Sequence, residues 1–569
     1  MEASIGKSIK RIDVHAKVTG EALYASDLNY PNQLYMKILF SERPHARVRS
    51  IDKNRALALQ GVIAVFTAED VPNNVYGYIL SDQPVLCGPG STNPYGDCVR
   101  FVGDQVAVVV AESEEIAQEG CKRIIVDYED LPVVGTIEEA MRPDAYIIHP
   151  QYESNIFSTH KIRTGKVDEA FANADVIIEG HYFTPVQEHA YLETEAGVSY
   201  IDEEGRITLI VTGQWAHKDR SQVALALGLP EEQVRIIYPY IGGAFGGRED
   251  ISVQIVLALA THKLNQQGIN RPIKIVWTRE ESIKGHGKRH PYHIYAKWGA
   301  SKSGKILAAE AKLIADGGAY QCTTSVVSNV AILNVTGPYE IPNVKIDCID
   351  VYTNTVPRAA FRGFGGPQGA FVAEAQMNKL AEALHIDPVE LRLRNLIKEG
   401  SLQSVGAPFP PGVSAQEVVE KCAGACGWEK IDGVWTKGAQ PSADLIRDPH
   451  IRRGLGLACS YKNIGFSHGF QETCEITFEL FGAETIEKAV LKHNATEVGQ
   501  GTHTALAQMA AEALGIPISK IEVRIPDTIE AGDTGAVSAS RMTFMAGNAI
   551  REAAEISLNK WRDEERPVI

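Results

Sequence analysis

The chain has 569 residues, 44% of them hydrophobic and 22% charged, an ordinary globular composition with room for about three or four domains and several buried cores. Asp and Glu outnumber Lys and Arg by 71 to 56, a net charge of −15, which disfavours nucleic acid and anionic membranes, because both select basic surface. The nine cysteines are scattered, with Cys422 and Cys426 the one close pair and no CxxC, so neither an iron–sulfur cluster nor a zinc ribbon is indicated, and the thiols read as buried, reduced and intracellular.

The chain opens on Met1-Glu2-Ala3-Ser4-Ile5-Gly6-Lys7 without an apolar signal segment, and no run approaches the ~18 apolar residues of a membrane span. The expected compartment is the cytoplasm. Strand-like runs at Leu34–Leu39, Val62–Phe66 and Gln105–Val110 alternate with a helical segment at Ser113–Arg123, giving a compact mixed domain over 1–137. A linker is expected at Glu138–Pro150. A second block, 150–400, carries strands at Val176–Gly180, Val234–Tyr238, Ile273–Trp277, His293–Trp298, Ile306–Ala315 and Val344–Tyr352, with helices at Gln222–Leu227 and Gly369–Leu384. Asp387 followed by Pro388 predicts the start of a further helix, with Asp as N-cap and Pro in the first turn. Residues 400–450 read as surface loop, and the third block, 401–569, becomes strand-rich near Arg453. It closes with a charged helix, Ala546–Glu565, and the tail Arg566-Pro567-Val568-Ile569 reads as the first residues of another strand. The fold class is α+β.

One pattern occurs twice. Gln214 and His217 lead into a helix ending Leu227-Gly228-Leu229-Pro230, and the loop Gly242-Gly243-Ala244-Phe245-Gly246-Gly247 follows. Gln500 and His503 lead into a helix ending Leu514-Gly515-Ile516-Pro517, and the loop Ala531-Gly532-Asp533-Thr534-Gly535 follows. Loops that expose backbone N–H groups, presented in two related frameworks, suggest one large polar ligand gripped from two sides. Four glycines in the six positions 242–247 serve either a tight turn or close approach of backbone to a ligand. The loop is not a dinucleotide-binding fingerprint, since no acidic residue follows at the right distance in a βαβ unit.

Other residues carry two readings each. Arg362, at a helix start within Phe361-Arg362-Gly363-Phe364-Gly365-Gly366-Pro367-Gln368, makes an anion or polarised-oxygen site or else pairs a nearby carboxylate. Gln214 and Gln500 contact a ligand or simply cap their helices. Glu249 stands at a pocket mouth or at a solvated loop end. His217, His503 and His189 lack partners at metal-ligand spacing and read as structural histidines. The stretch Asp533–Arg541 supplies hydroxyls and small residues that permit close ligand approach.

These segments together resemble the molybdenum-cofactor subunit of the xanthine dehydrogenase/aldehyde oxidase family. The resemblance starts at Arg11-Ile12-Asp13 and Lys17-Val18-Thr19-Gly20, similar to the family's α/β hammerhead domain, and runs through 242–249, 361–368, 497–504 and 533–541. It implies a hammerhead domain (1–137) and a pseudo-duplicated molybdopterin-binding domain in two parts (150–400 and 401–569), the second incomplete at its C-terminus. It implies a molybdopterin dithiolene, including its cytosine dinucleotide form, that holds the molybdenum without any side-chain metal ligand. Gln214, Gly243, Phe245, Gly246, Arg362, Gln500, Ser538, Ala539 and Ser540 would contact the cofactor. Gln214, Glu249 and Arg362 would serve the chemistry, and Glu249 and Phe364 would line the substrate pocket.

The implied reaction hydroxylates an aldehyde or aromatic N-heterocycle with oxygen from water. The implied partners are an iron–sulfur (2Fe-2S) subunit and an FAD subunit. Two positions depart from the family pattern. The family's general-base glutamate, in a Gly-Glu-Pro-like motif, has no counterpart here, so either a second molybdopterin-subunit chain supplies it or the chain is truncated; without it the chain is a non-catalytic pterin-binding or scaffold fragment. Val330 stands where purine-oxidising members carry arginine on the pocket wall, which favours an aldehyde or a different heterocycle over xanthine.

Overall fold

The computed structural model describes residues 4–438, 450–451, 454–466 and 470–563. The tail Arg566–Ile569 and the block start at Arg453 lie outside the described residues. The α+β class is observed: helices cover three main sheets.

The largest sheet has seven strands in the order Val234–Ile237, Ile207–Val211, Ala196–Ile201, Ile273–Val276, Leu34–Phe40, Gln105–Ala111, Val62–Phe66. Its last three strands come from the N-terminal segment and its first four from 196–276. The seam is the parallel pair Leu34↔Ile273. The N-terminal block, legible as a unit in the chain, thus shares a sheet with the block that follows. Gln105–Ala111 is buried along nearly its whole length, as its unbroken Val-Ala run demands of a strand covered on both faces. A smaller sheet of Cys98–Val99, Ala46–Asp52 and Ile125–Asp130 completes the N-terminal region.

The second sheet has five strands, ordered Ile156–Thr164, Asn343–Tyr352, Ile306–Gly318, Tyr292–Ala300, Val176–Thr184. Helices Thr324–Asn334 and Gly366–Leu384 pack on it, and the interface is one continuous apolar core around Trp298, Leu313, Met377 and Leu380. The third sheet, Thr477–Gly482, Ile486–Lys492 and Ile521–Val523, is covered by helices Thr502–Leu514 and Met542–Asp563.

Three sequence expectations change. The span 400–450 is not all loop: it contains helix Ala415–Ala425 and a hairpin, Trp428–Ile431 with Val434–Lys437. Val419, Ala423 and Trp428 bury into the second core, so this segment folds by docking. The linker contains the short helix Ile137–Ala140, started by a capping box on Thr136 and Glu139. Cys422 and Cys426 are exposed rather than buried. Helices Gln254–Gln266 and Thr324–Asn334 have no apolar stripe to read, because they are buried almost all round.

No helix among the described residues is long and apolar enough to cross a membrane.

Candidate functional site

The two repeated units fold alike. In the first, helix Ala216–Leu227 ends at Gly228 (φ 66°, ψ 32°); in the second, helix Thr502–Leu514 ends at Gly515 (φ 66°, ψ 37°). Both glycines take the left-handed cap that residues with a Cβ resist. Each is followed by Pro, a 3₁₀ turn and a short strand, Val234–Ile237 or Ile521–Val523. The units join edge to edge, with Thr528 N donating to Ile236 O at 3.1 Å and Tyr238 N to Pro526 O at 3.0 Å.

Between their loops lies a cavity of about 730 Å³. Its wall holds Gln214, Phe245, Gly246, Glu249, Arg362, Phe364, Gln500, Ser538, Ala539 and Ser540. The structure therefore brings together every sequence-predicted site residue but one. Gly243 is absent from that wall; its carbonyl accepts from Arg248 Nε at 2.9 Å, so it braces the loop from behind. Val330 packs with Phe364 in a small apolar cluster and does not reach the cavity surface.

Gln214 caps no helix, since helix Ala216–Leu227 starts after Trp215. Its Oε1 accepts from Gly246 N at 3.1 Å and from Arg248 N at 3.2 Å, and its Nε2 donates to Val537 O at 2.6 Å. The side chain is 3% exposed and stitches the first loop to the second, with one amide N–H left over. Gln500 is exposed and acts locally: Oε1 accepts from Val498 N at 2.7 Å, and Nε2 donates to Thr496 O at 2.9 Å.

Backbone conformation is forced at the cavity wall. Phe245 (φ 55°), Phe364 (φ 49°), Ala539 (φ 50°) and Ser540 (φ 55°) all sit in the left-handed region, which costs non-glycine residues about 1–3 kcal/mol each and persists where surroundings over-determine it. Gly246 (φ +98°) has no alternative: a Cβ there would lie 2.9 Å from the Ala360 carbonyl oxygen. Arg362 N donates to Phe245 O at 2.8 Å, and Arg289 donates to Arg362 O at 2.9 Å while its guanidinium lies 3.9 Å over the Phe361 ring. The Arg362 segment is thus tied to the first loop through its backbone, while its side chain is exposed. Burial lowers the Arg289 guanidinium to about 10.

Glu249 is 2% exposed, not at a solvated loop end. Burial pushes its carboxyl up to about 8, against the hydrogen bond from Ser538 and the attraction of Lys462, which pull it down. Its Oε2 has no partner. At neutral pH the group is largely a neutral acid able to donate one hydrogen bond and accept others.

Sequence reasoning missed two contributors and left the role of a third unread. Lys462 lines the cavity. Phe466 meets Phe364 edge-on, with ring centroids 6.3 Å apart. Both sit in irregular chain, where no periodicity marks them. Arg541, the last residue of the stretch singled out above, is 1% exposed; it pairs with Glu472 and donates to the carbonyls of Thr473, Thr534 and Ala536. It folds the second loop around itself. His217 and His503 bond the carbonyls of Ala531 (3.1 Å) and Ala495 (3.0 Å), the structural role expected.

The cavity suits a large polar cofactor. It offers donors from two backbone loops and two glutamine amides, and it presents a buried carboxyl oxygen that the protein leaves unpaired. Residues 148–396 and 432–566 each match the family description "Molybdopterin cofactor-binding domain", and residues 19–132 match "Aldehyde oxidase and xanthine dehydrogenase, a/b hammerhead domain". The chain is 35% identical over 551 residues to a probable xanthine dehydrogenase subunit of Bacillus subtilis, covering 95% of this chain and 69% of that one. It is 38% identical over 418 residues to the nicotinate dehydrogenase large molybdopterin subunit of Eubacterium barkeri, covering 73% and 95%. Among solved structures it resembles the aldehyde oxidoreductase from Desulfovibrio gigas, with a TM-score of 0.85 at 26% identity, covering 98% of this chain and 60% of that one. This chain thus spans 60% of the length of that oxidoreductase. On fold, cavity and sequence together, the chain belongs to the molybdenum-cofactor-binding subunits of the xanthine dehydrogenase/aldehyde oxidase family.

Proposed function

We propose that the chain carries the molybdenum cofactor of an oxidoreductase that hydroxylates an aldehyde or an aromatic N-heterocycle. Water is the oxygen source, and electrons leave to separate 2Fe-2S and FAD subunits. The observation that carries this reading is the shared cavity, with Gln214 bonded to both loops at once. The bound molybdopterin would supply the two-electron oxidation of the substrate carbon; the protein supplies position, hydrogen bonds and exclusion of water.

Phe245, Gly246 and Arg362 form one wall for the cofactor and Ser538, Ala539 and Ser540 the other. Gln500 would help to hold the pterin, and the free amide N–H of Gln214 would be available to the bound group. Phe364 offers its ring to a planar substrate, with Phe466 closing the angle. Glu249, held as a neutral acid, donates to a ring nitrogen or carbonyl oxygen and draws electron density from the carbon under attack. Glu249 is the one carboxylate on the described cavity wall, so a general base contributed by a second molybdopterin-subunit chain completes the site. The functional division of the chain is 1–137, 150–400 and 401–569, a reading supported by the family matches at 19–132, 148–396 and 432–566. Its scattered thiols favour a cytoplasmic complex.

The test is production of the chain with its neighbouring subunits and the molybdopterin maturation machinery, followed by metal analysis and turnover in ¹⁸O-labelled water. One molybdenum per chain and ¹⁸O in the hydroxylated product are expected. A complex that matures without molybdenum sinks the proposal, and so does one that takes its oxygen from dioxygen.

A further inference from the structure

Behind the cavity wall, away from the cofactor face, three side chains converge without a role in the site described above. Glu188, His189 and His286 each place one donor atom within 4.8 Å of the other two. Both histidines are buried, at 6% and 3% exposure. None of the three lines the cavity. Glu188 and His189 lie on the segment Gln187–Tyr191, and His286 ends helix Arg279–Gly285.

The hydrogen bonds settle the tautomers. His189 Nε2 donates to Ala360 O at 2.8 Å, and His286 Nε2 donates to Gly247 O. A carbonyl can only accept, so each ring carries its proton on Nε2 and keeps a bare lone pair on Nδ1. Both Nδ1 atoms are buried with no hydrogen-bond partner. Each of the two neighbouring imidazoles keeps an unpaired buried acceptor, which is costly unless something fills it. An imidazole whose far nitrogen donates to a backbone carbonyl is the arrangement that orients metal-bound histidine. The loop is built to hold this geometry: Ala190 is forced to φ 48°, and its N–H donates to Glu188 Oε1 at 3.2 Å.

We propose that Glu188, His189 and His286 form a binding site for a borderline divalent cation, Zn²⁺ or a similar ion, distinct from the molybdenum centre. Two imidazole nitrogens and a carboxylate are the donor set such ions select. Metal–nitrogen bonds of ~2.0–2.1 Å put ligand atoms roughly 3.3 Å apart in a tetrahedron, so the donors close in by an ångström or so on binding. Lys288 now stands as the cation: its Nζ lies 2.5 Å from Glu188 and donates to His286 O at 2.5 Å. A divalent ion takes over that counter-charge and displaces the ammonium group. The consequence reaches the cavity, because the two histidines hold the carbonyls of Gly247 and Ala360, one in each strip of backbone that meets at Gly246. A cation on Nδ1 polarises each Nε2–H and tightens both bonds, so the ion acts as a clasp on the cofactor cradle.

The assembled complex is dialysed against EDTA and then against Zn²⁺, and zinc is measured by mass spectrometry and by its X-ray absorption edge. One zinc per chain with two imidazole ligands is expected. His286→Gln and His189→Gln should each lose it, while Lys288→Met, which removes the competing ammonium, should bind at least about tenfold more tightly. Zn²⁺ should also raise the melting temperature of wild type but not of His286→Gln. Circular dichroism checks that the variants fold, and the wild-type edge decides the matter even where they do not. Wild-type protein without stoichiometric zinc, or zinc without histidine ligation, overturns the proposal. Zinc retained in both histidine variants does the same. None of these readouts depends on molybdenum, so failure here leaves the proposed hydroxylase reading standing, and the reverse.

Discussion

The two repeated units share a helix, a left-handed glycine cap, a proline and a strand, yet their glutamines do different work. Gln214 is buried and joins three backbone groups from two loops, whereas Gln500 is exposed and closes its own turn. The difference comes from what lies next to each. The first unit's loop meets the second unit's Val537 strip and the Ala360–Phe364 segment, so Arg248 N is buried and Gly246 N and Val537 O are part-buried where Gln214 reaches them. The second unit's turn opens on solvent. Duplicated architecture therefore does not imply duplicated roles: one copy became the keystone and the other the rim.

The largest break in this comparison is expected at glycine. Gly246→Ala puts a Cβ 2.9 Å from the Ala360 oxygen at φ +98°, so the loop must move, and molybdenum content should fall by more than about tenfold. Gly501→Ala, at φ +89° but with its nearest neighbour atom 4.0 Å away, should cost only the left-handed penalty of about 1–2 kcal/mol and leave metal content near wild type. Metal analysis of the two purified variants checks both.

Glutamine comes next. Gln214→Ala strands Arg248 N, which is buried, and frees Gly246 N and Val537 O, which are part-buried; a buried polar group left unpaired costs about 1–3 kcal/mol, so a loss of roughly 2 kcal/mol is expected in denaturant unfolding. Gln500→Ala removes an exposed bond to Val498 N and a part-buried one to Thr496 O and should cost about 1 kcal/mol. Equal losses would show that the two units are energetically symmetric after all.

A third measurement uses pH. The Glu249 carboxyl, raised to about 8 in the fold, keeps its proton there while the unfolded chain has released it above the ordinary carboxylate range. The folded state then binds more protons, so this group's contribution is full at low pH and is lost as pH rises toward 8. Glu249→Gln, which cannot ionise, should flatten the fall of melting temperature between about pH 5 and pH 8. A steeper fall in the variant would refute the assignment.

The smallest effect is expected at the matched histidines. His217→Ala and His503→Ala each remove one hydrogen bond to a loop carbonyl, worth about 1 kcal/mol each, with His503 costing more because its bond is buried whereas that of His217 is partly exposed. Thermal melts of the pair rank them.

Much of this site could be read before folding. The repeated Gln–helix–Gly-Pro spacing marked both units, and the glycines at 242–247 marked a backbone that something approaches closely. Local chemistry carries such signals: a left-handed cap or a forced φ is written in one residue. The segment resemblance added which residues would meet, and all but Gly243 do so. Contacts between distant parts of the chain carried no such mark. Lys462 and Phe466 lie in irregular chain and acquire a role only because Phe364 and Glu249 arrive beside them. Helix Ala415–Ala425 was hidden in a Pro- and Gly-rich span, because docking onto the second core stabilises it more than its own composition does.

By itself the sequence determined the α+β class, the two matched frameworks and the residues able to line a polar cavity, because turn chemistry, capping and periodicity act over a few residues. Only the tertiary structure decided that strands from the first block enter the sheet of the second, that Gln214 bonds rather than caps, and that Glu249 is a buried acid. Burial and hydrogen-bond choice depend on neighbours hundreds of positions away, and no local pattern encodes them.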